Sequence, residues 1–120
     1  MGNVKVGYLR NRIKNCINTL SQKIPQTKIV WSQILPRLKW RYSDNMKAME
    51  AARVRINSTI ATFVIKNGGH YIKYPDILPS ELFIQPDGVH LSDLGNNIFL
   101  NTLQGALESF VANQIPVFPN

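Results

Sequence analysis

Asp87 and His90 stand three residues apart, with Gly88 between them and Ser92-Asp93-Leu94-Gly95 directly behind. A carboxylate so placed can hold an imidazole in one tautomer and steady the imidazolium that forms when it takes a proton, the two supporting roles in a Ser-His-Asp hydrolase triad. Asp87 is therefore the candidate orienter and His90 the candidate general base and acid. For a bare Asp-x-x-His the simpler account is structural: Asp87 caps backbone amides at a loop-to-helix turn and His90 merely packs. The surrounding sequence has to decide.

A triad also needs a nucleophile presented on a tight turn beside amide donors. Ser32 is the tempting choice, beside Trp31 in an apolar run, but it has no glycine neighbour. Ser21, Ser43, Ser58, Ser80, Ser92 and Ser109 fit no nucleophile motif, and Ser43 and Ser92 are better read as helix caps. No nucleophile is assigned. Metal chemistry is not expected either, because His70, His90 and Cys16 offer no two-histidine motif and a catalytic zinc takes three protein ligands. His70 reads as a strand-start residue, and no cofactor is implied. Cys16, the single cysteine, falls on an apolar helical face and is expected to be a buried thiol. The Asn57-Ser58-Thr59 sequon lies inside an expected helix and is read as chance.

The elements that must position Asp87 and His90 follow from hydrophobic spacing. Leu9, Ile13, Cys16, Ile17 and Leu20 make one face of a helix from about Val4 to Lys23, which Pro25 ends. Lys28 to Leu35 is rich in β-branched and aromatic residues and is closed by Pro36, so it reads as a buried parallel strand. After a basic loop, Ser43 or Asp44 can cap a helix that runs to about Lys66, where Asn67-Gly68-Gly69 supplies a left-handed stop. His70 to Tyr74 makes a second strand, Asp76 to Pro86 a proline-rich loop, and Leu94, Ile98, Leu103, Leu107, Phe110 and Val111 the stripe of a final helix. Residues 1–113 form the expected domain and 114–120 a tail. The order helix-strand-helix-strand-helix predicts parallel strands with right-handed crossovers.

Length and charge bound the rest. A chain of 120 residues suits one domain but is short for a complete three-layer α/β enzyme. No apolar run approaches the ~20 residues needed to cross a bilayer, and the N-terminus lacks the apolar core of a secretory signal, so the expectation is an intracellular, cytoplasmic chain without a membrane partner. The charge is lopsided: residues 1–60 carry 12 basic and 2 acidic side chains, and residues 61–120 carry 2 and 5. The loop Arg37-Leu38-Lys39-Trp40-Arg41-Tyr42 concentrates some of it beside two aromatics that could stack a base. A solvated loop with Trp40 folded against the sheet is the favoured reading, and nucleic acid the less favoured partner.

The stretch from Asp87 to Asn96, set between a proline-rich loop and the last helix, resembles the final sequence block of the SGNH, or GDSL-type, hydrolases. The run Val30-Trp31-Ser32-Gln33-Ile34-Leu35-Pro36 and the turn Asp87-Gly88-Val89-His90-Leu91-Ser92 are similar to SGNH-like domains of vertebrate and retroelement-associated proteins. The resemblance covers most of the chain. It implies the C-terminal part of a flavodoxin-like α/β/α fold, in which Asp87 and His90 are the acid and base of an ester or acyl hydrolase. The family's Gly-Asp-Ser nucleophile block and its glycine and asparagine oxyanion blocks have no counterpart here, and Gly2-Asn3 is not followed by Asp. The expectation is thus a truncated esterase domain, inactive alone. The alternative is a non-catalytic remnant or a basic nucleic-acid-associated module. With only two parallel strands expected, self-association through open edges is expected too.

Overall fold

The computed structural model describes residues 5–41 and 43–120. Met1 to Val4, including Gly2-Asn3 and the expected start of the first helix, and Tyr42 of the basic loop lie outside the described residues. The chain forms α1 (Val6–Lys23), β1 (Val30–Ser32), α2 (Met46–Lys66), β2 (His70–Ile72), α3 (Asp93–Asn113) and β3 (Val117–Phe118). β1 pairs in parallel with β2, and β2 with β3, in the order β1-β2-β3. This α/β architecture with an all-parallel sheet is consistent with part of a flavodoxin-like fold.

Alternation along the strands builds the layers. Trp31 of β1 joins Ile17, Ile56, Ile60 and Val64 beneath α1 and α2, while Val30 and Ile72 pack with Ala106 and Phe110 of α3 on the other face. Burying Ile56, Ile60 and Ile72 completely contributes about 1.5–3 kcal/mol each. The two crossovers, β1-α2-β2 and β2-α3-β3, pass over opposite faces while stepping toward the same edge. They are therefore of opposite hand, so the right-handed preference holds for only one of them.

Several expectations are corrected in detail. The supposed tail contains β3: Tyr71 N–H donates to the Pro116 carbonyl and Lys73 N–H to that of Phe118, each at 2.8 Å. The cap of α2 is Asn45, whose side chain accepts from Ala48 N–H at 3.0 Å. Ser43 instead accepts from Asn45 N–H, two residues upstream of the cap. The left-handed stop expected of Asn67-Gly68-Gly69 is present, at Gly68 with φ 85°. Cys16 is exposed, because α2 covers α1 along the Ile13–Ile17 line and leaves the neighbouring flank open.

The strands are also shorter than the apolar runs that predict them, because side chains take over the ladder. Buried Asn57 accepts from Ile34 N–H at 2.9 Å and from Trp31 Nε1 at 3.1 Å, and donates to the Ile34 carbonyl at 3.0 Å. The Arg53 guanidinium, itself gripped by Glu50, donates to that same carbonyl at 2.8 Å. On the opposite side, Gln33 bonds Ile72 through its backbone and Tyr71 and Tyr74 through its amide. An asparagine at 2% exposure that meets three partners cannot be a glycosylation acceptor in the folded chain.

Asn57→Ala leaves the Trp31 and Ile34 donors buried without partners, so it should lower unfolding stability by about 2–4 kcal/mol in a urea titration. Ser58→Ala, at an exposed neighbouring position, should change it by less than about 0.5 kcal/mol.

Candidate active site

The proline-rich segment after β2 and the turn that follows it fold back on each other. Ile84 and Leu91 face each other in an antiparallel bridge, Gln85 N–H donates to the His90 carbonyl at 2.8 Å, and Ser92 N–H donates to the Phe83 carbonyl at 2.9 Å. Ser92 then caps α3: its hydroxyl accepts from Gly95 N–H at 3.1 Å and donates to the Leu82 carbonyl at 2.7 Å. Asp87 and His90 occupy the tip of this lariat.

Gly88 makes the tip possible. Its φ of 77° lies in the left-handed region, and a Cβ there would stand 2.8 Å from the Lys39 Cβ. The close approach exists because the Gly88 carbonyl accepts from both Leu38 and Lys39 N–H, at 2.9 and 3.0 Å. The loop leaving β1 thereby holds the turn that leads into α3.

Within the turn, Asp87 uses both carboxylate oxygens. Oδ1 accepts from Val89 N–H at 2.9 Å and His90 N–H at 3.0 Å, and Oδ2 faces His90 Nδ1 at hydrogen-bond range. The structural reading, Asp87 as a cap of backbone amides, and the chemical one, Asp87 as a partner of the imidazole, are both realised in the same side chain. The His90 hydrogen bond, helped by the two amides, lowers the Asp87 pKa to about 2. Asp87 is thus a carboxylate throughout the physiological range. It fixes the hydrogen on Nδ1 and leaves Nε2 as the basic nitrogen. His90 is 74% exposed, and Nε2 makes no hydrogen bond to a described residue.

Ser32, Ser43 and Ser92 are otherwise employed. Ser32 Oγ lies 2.7 Å from the Tyr74 hydroxyl, and burial pushes the Tyr74 phenol up, so its partner is a neutral phenol rather than a base. Ser43 and Ser92 are hydrogen-bonded at helix starts. His70 opens β2, where it is buried against Phe110 with ring centroids 4.4 Å apart and has Nδ1 2.6 Å from the Ile115 carbonyl. Nothing in the local sequence signalled that contact, since Ile115 is 45 residues away. In the basic loop, Trp40 lies under the Arg37 guanidinium, 5.1 Å from ring centroid to Cζ, and buries Nε1, which takes that ring face away from any base. Among the described residues no group of three or more His, Cys, Asp or Glu could hold a metal ion, and no helix is long and apolar enough to cross a membrane.

No family model matches the chain, and no curated protein does. Among solved structures it is similar to the esterase domain of the ZfL2-1 ORF1 protein from the zebrafish ZfL2-1 retrotransposon, with a TM-score of 0.71 and 18% sequence identity over 89% of this chain. The chain spans 65% of that domain's length. At this identity the likeness is one of fold, and it agrees with the fold that the SGNH resemblance implies.

Because its folded-state pKa lies below the ordinary 3.8, ionised Asp87 favours the folded turn above about pH 4, and that contribution is lost as pH falls through about 2. A carboxyl-carbon NMR titration should place the Asp87 midpoint near 2, and His90→Ala should return it toward 3.8. A midpoint near 3.8 in the unaltered chain would show that the contact does not persist in solution.

Proposed function

We propose that this chain carries the acid–base element of an SGNH-type serine ester hydrolase, acting on an ester or acyl bond. His90 Nε2 takes the proton of a serine hydroxyl as the oxygen attacks the substrate carbonyl, and the imidazolium then returns the proton to the leaving alkoxide. Asp87 keeps the imidazole in the required tautomer and offsets its transient charge. In the second half-reaction His90 takes a proton from water and gives it back to the serine, which completes hydrolysis of the acyl intermediate.

The observation that carries this reading is the Asp87–His90 contact itself: Nδ1 is engaged by a carboxylate, Nε2 is unengaged, and the ring is exposed, on a fold shared with an esterase domain. The reading also explains why no serine in the chain is poised for attack. The nucleophile and the oxyanion donors belong to a segment outside these 120 residues, in the same polypeptide or another one. Without them the major sources of rate are missing, and this segment alone is inactive.

The isolated chain should hydrolyse p-nitrophenyl acetate no faster than its His90→Ala variant beyond the small, non-saturating background of an exposed imidazole. Joined to a segment that bears a Gly-Asp-Ser block in an SGNH arrangement, it should gain saturable turnover. His90→Ala should then lower kcat by about 10³-fold or more, and Asp87→Asn by a comparable factor. Saturable, His90-dependent turnover by the isolated chain would contradict the assignment of the nucleophile to another segment. Turnover in the joined protein that is indifferent to both substitutions would sink the acid–base role.

A further inference from the structure

The lopsided charge of the sequence is not spread evenly over the fold. Eight of the fourteen cations lie on the layer formed by α1 and α2, where Glu50 is the single acidic side chain and is spent on Arg53. Between these helices runs a surface groove of about 420 Å³ lined by Lys14, Ser58, Thr59, Thr62, Phe63 and Lys66. Its floor is built by α2, on which residues 55, 59, 62 and 66 share one outward stripe at helical spacing. Its α1 wall carries Arg10, which reaches the Thr59 hydroxyl at 3.4 Å, and Lys14, whose ammonium lies 5.5 Å from the Phe63 ring centroid. Neither Arg10, Lys14, Arg55 nor Lys66 forms an ion pair with a described carboxylate.

We propose that this groove is a binding site for the sugar–phosphate backbone of single-stranded nucleic acid. Four cations flank three hydroxyls along a track of roughly 16 Å from Arg55 to Lys66, at 1.5 Å per helical residue. Cations supply the attraction to phosphate, and the Ser58 and Thr59 hydroxyls supply short-range donors to phosphate and sugar oxygens, the Thr62 hydroxyl already donating to the Ser58 carbonyl at 2.9 Å. A membrane surface fits less well, because an interfacial helix sets large apolar side chains beside its cations, whereas the exposed residues of the groove floor are Ser58, Thr62 and Lys66. The site lies on the α1/α2 layer rather than on the loop of Trp40, one face of whose ring is already covered by Arg37. It contacts no base edges, so binding is indifferent to sequence. It is independent of the role proposed for His90.

Fluorescence anisotropy with labelled oligo(dT) and oligo(U) at salt from 50 to 200 mM tests it, these concentrations bracketing about the range where phosphate contacts are resolved. Four phosphate contacts predict a slope of log K against log salt of about −3, alike for both probes. Lys14→Ala with Lys66→Ala should reduce the slope to about −1.5 and weaken binding at the lowest salt by at least about tenfold. Arg12→Ala with Lys23→Ala removes the same charge from the other side of α1 and should leave affinity within about twofold, since only cations at the groove contact phosphate. Equal losses in the two double variants would overturn the groove as the site. Capture by phosphatidylserine vesicles without oligonucleotide binding would overturn the ligand class. Thermal unfolding of each variant checks that these surface substitutions leave the fold intact.

Discussion

The sheet is held in register by a buried amide. A ladder of three residue pairs between β1 and β2 is too short to fix alignment by its own hydrogen bonds, and a slip of one residue would exchange its two faces. Asn57 prevents that slip by bonding the backbone of Ile34 through both its oxygen and its nitrogen, and Trp31 through its indole. The amide thus ties β1 to the middle of α2, and Gln33, directly after β1, bonds Tyr71 of β2 and Tyr74 in the loop after it. Each polar group is matched, so burial tightens the arrangement instead of weakening it.

That alignment reaches the candidate site through the backbone. Once Ile34 is fixed, the chain beyond Pro36 is delivered to where Leu38 and Lys39 can grip the Gly88 carbonyl. Asp87 and His90 belong to a different connection, the one from β2 to α3, yet their turn is held by the loop from β1. Two loops at the same end of a parallel sheet are locked together, the arrangement by which open α/β sheets assemble sites from distant segments. A glycine is required at the contact point both for its φ and for the space that Lys39 occupies. Ser92 secures the far side by capping α3 directly behind the imidazole.

Much of this was legible in the residues. Helical spacing located α1, α2 and α3 to within a few positions, and Asp-x-x-His marked a turn whose two side chains do meet. The extents of the strands were not legible, because Asn57, Arg53 and Gln33 replace ladder hydrogen bonds with side-chain ones, and no local pattern announces that substitution. Cys16 sits on an apolar stripe but on the flank that α2 leaves uncovered, which only packing could reveal. The last strand escaped notice because Val117-Phe118 is two residues long between prolines, a composition that reads as an irregular end. The clasp on Gly88 is a contact between residues about fifty positions apart, and neither segment carries a mark of it.

Those two prolines give the sheet a direction. Pro116 turns its carbonyl to Tyr71 of β2, and Pro119 beyond β3 has no N–H to offer a further strand, so the margin formed by β3 is limited by chemistry as well as by length. At the opposite margin, the odd-numbered residues of β1 bond to β2, which leaves the amides and carbonyls of Val30 and Ser32 pointing outward until Asn57 and Arg53 claim those of Ile34. The two margins are therefore unequal: beside β1 another strand can add along the few residues before that stop, while β3 offers two residues at most.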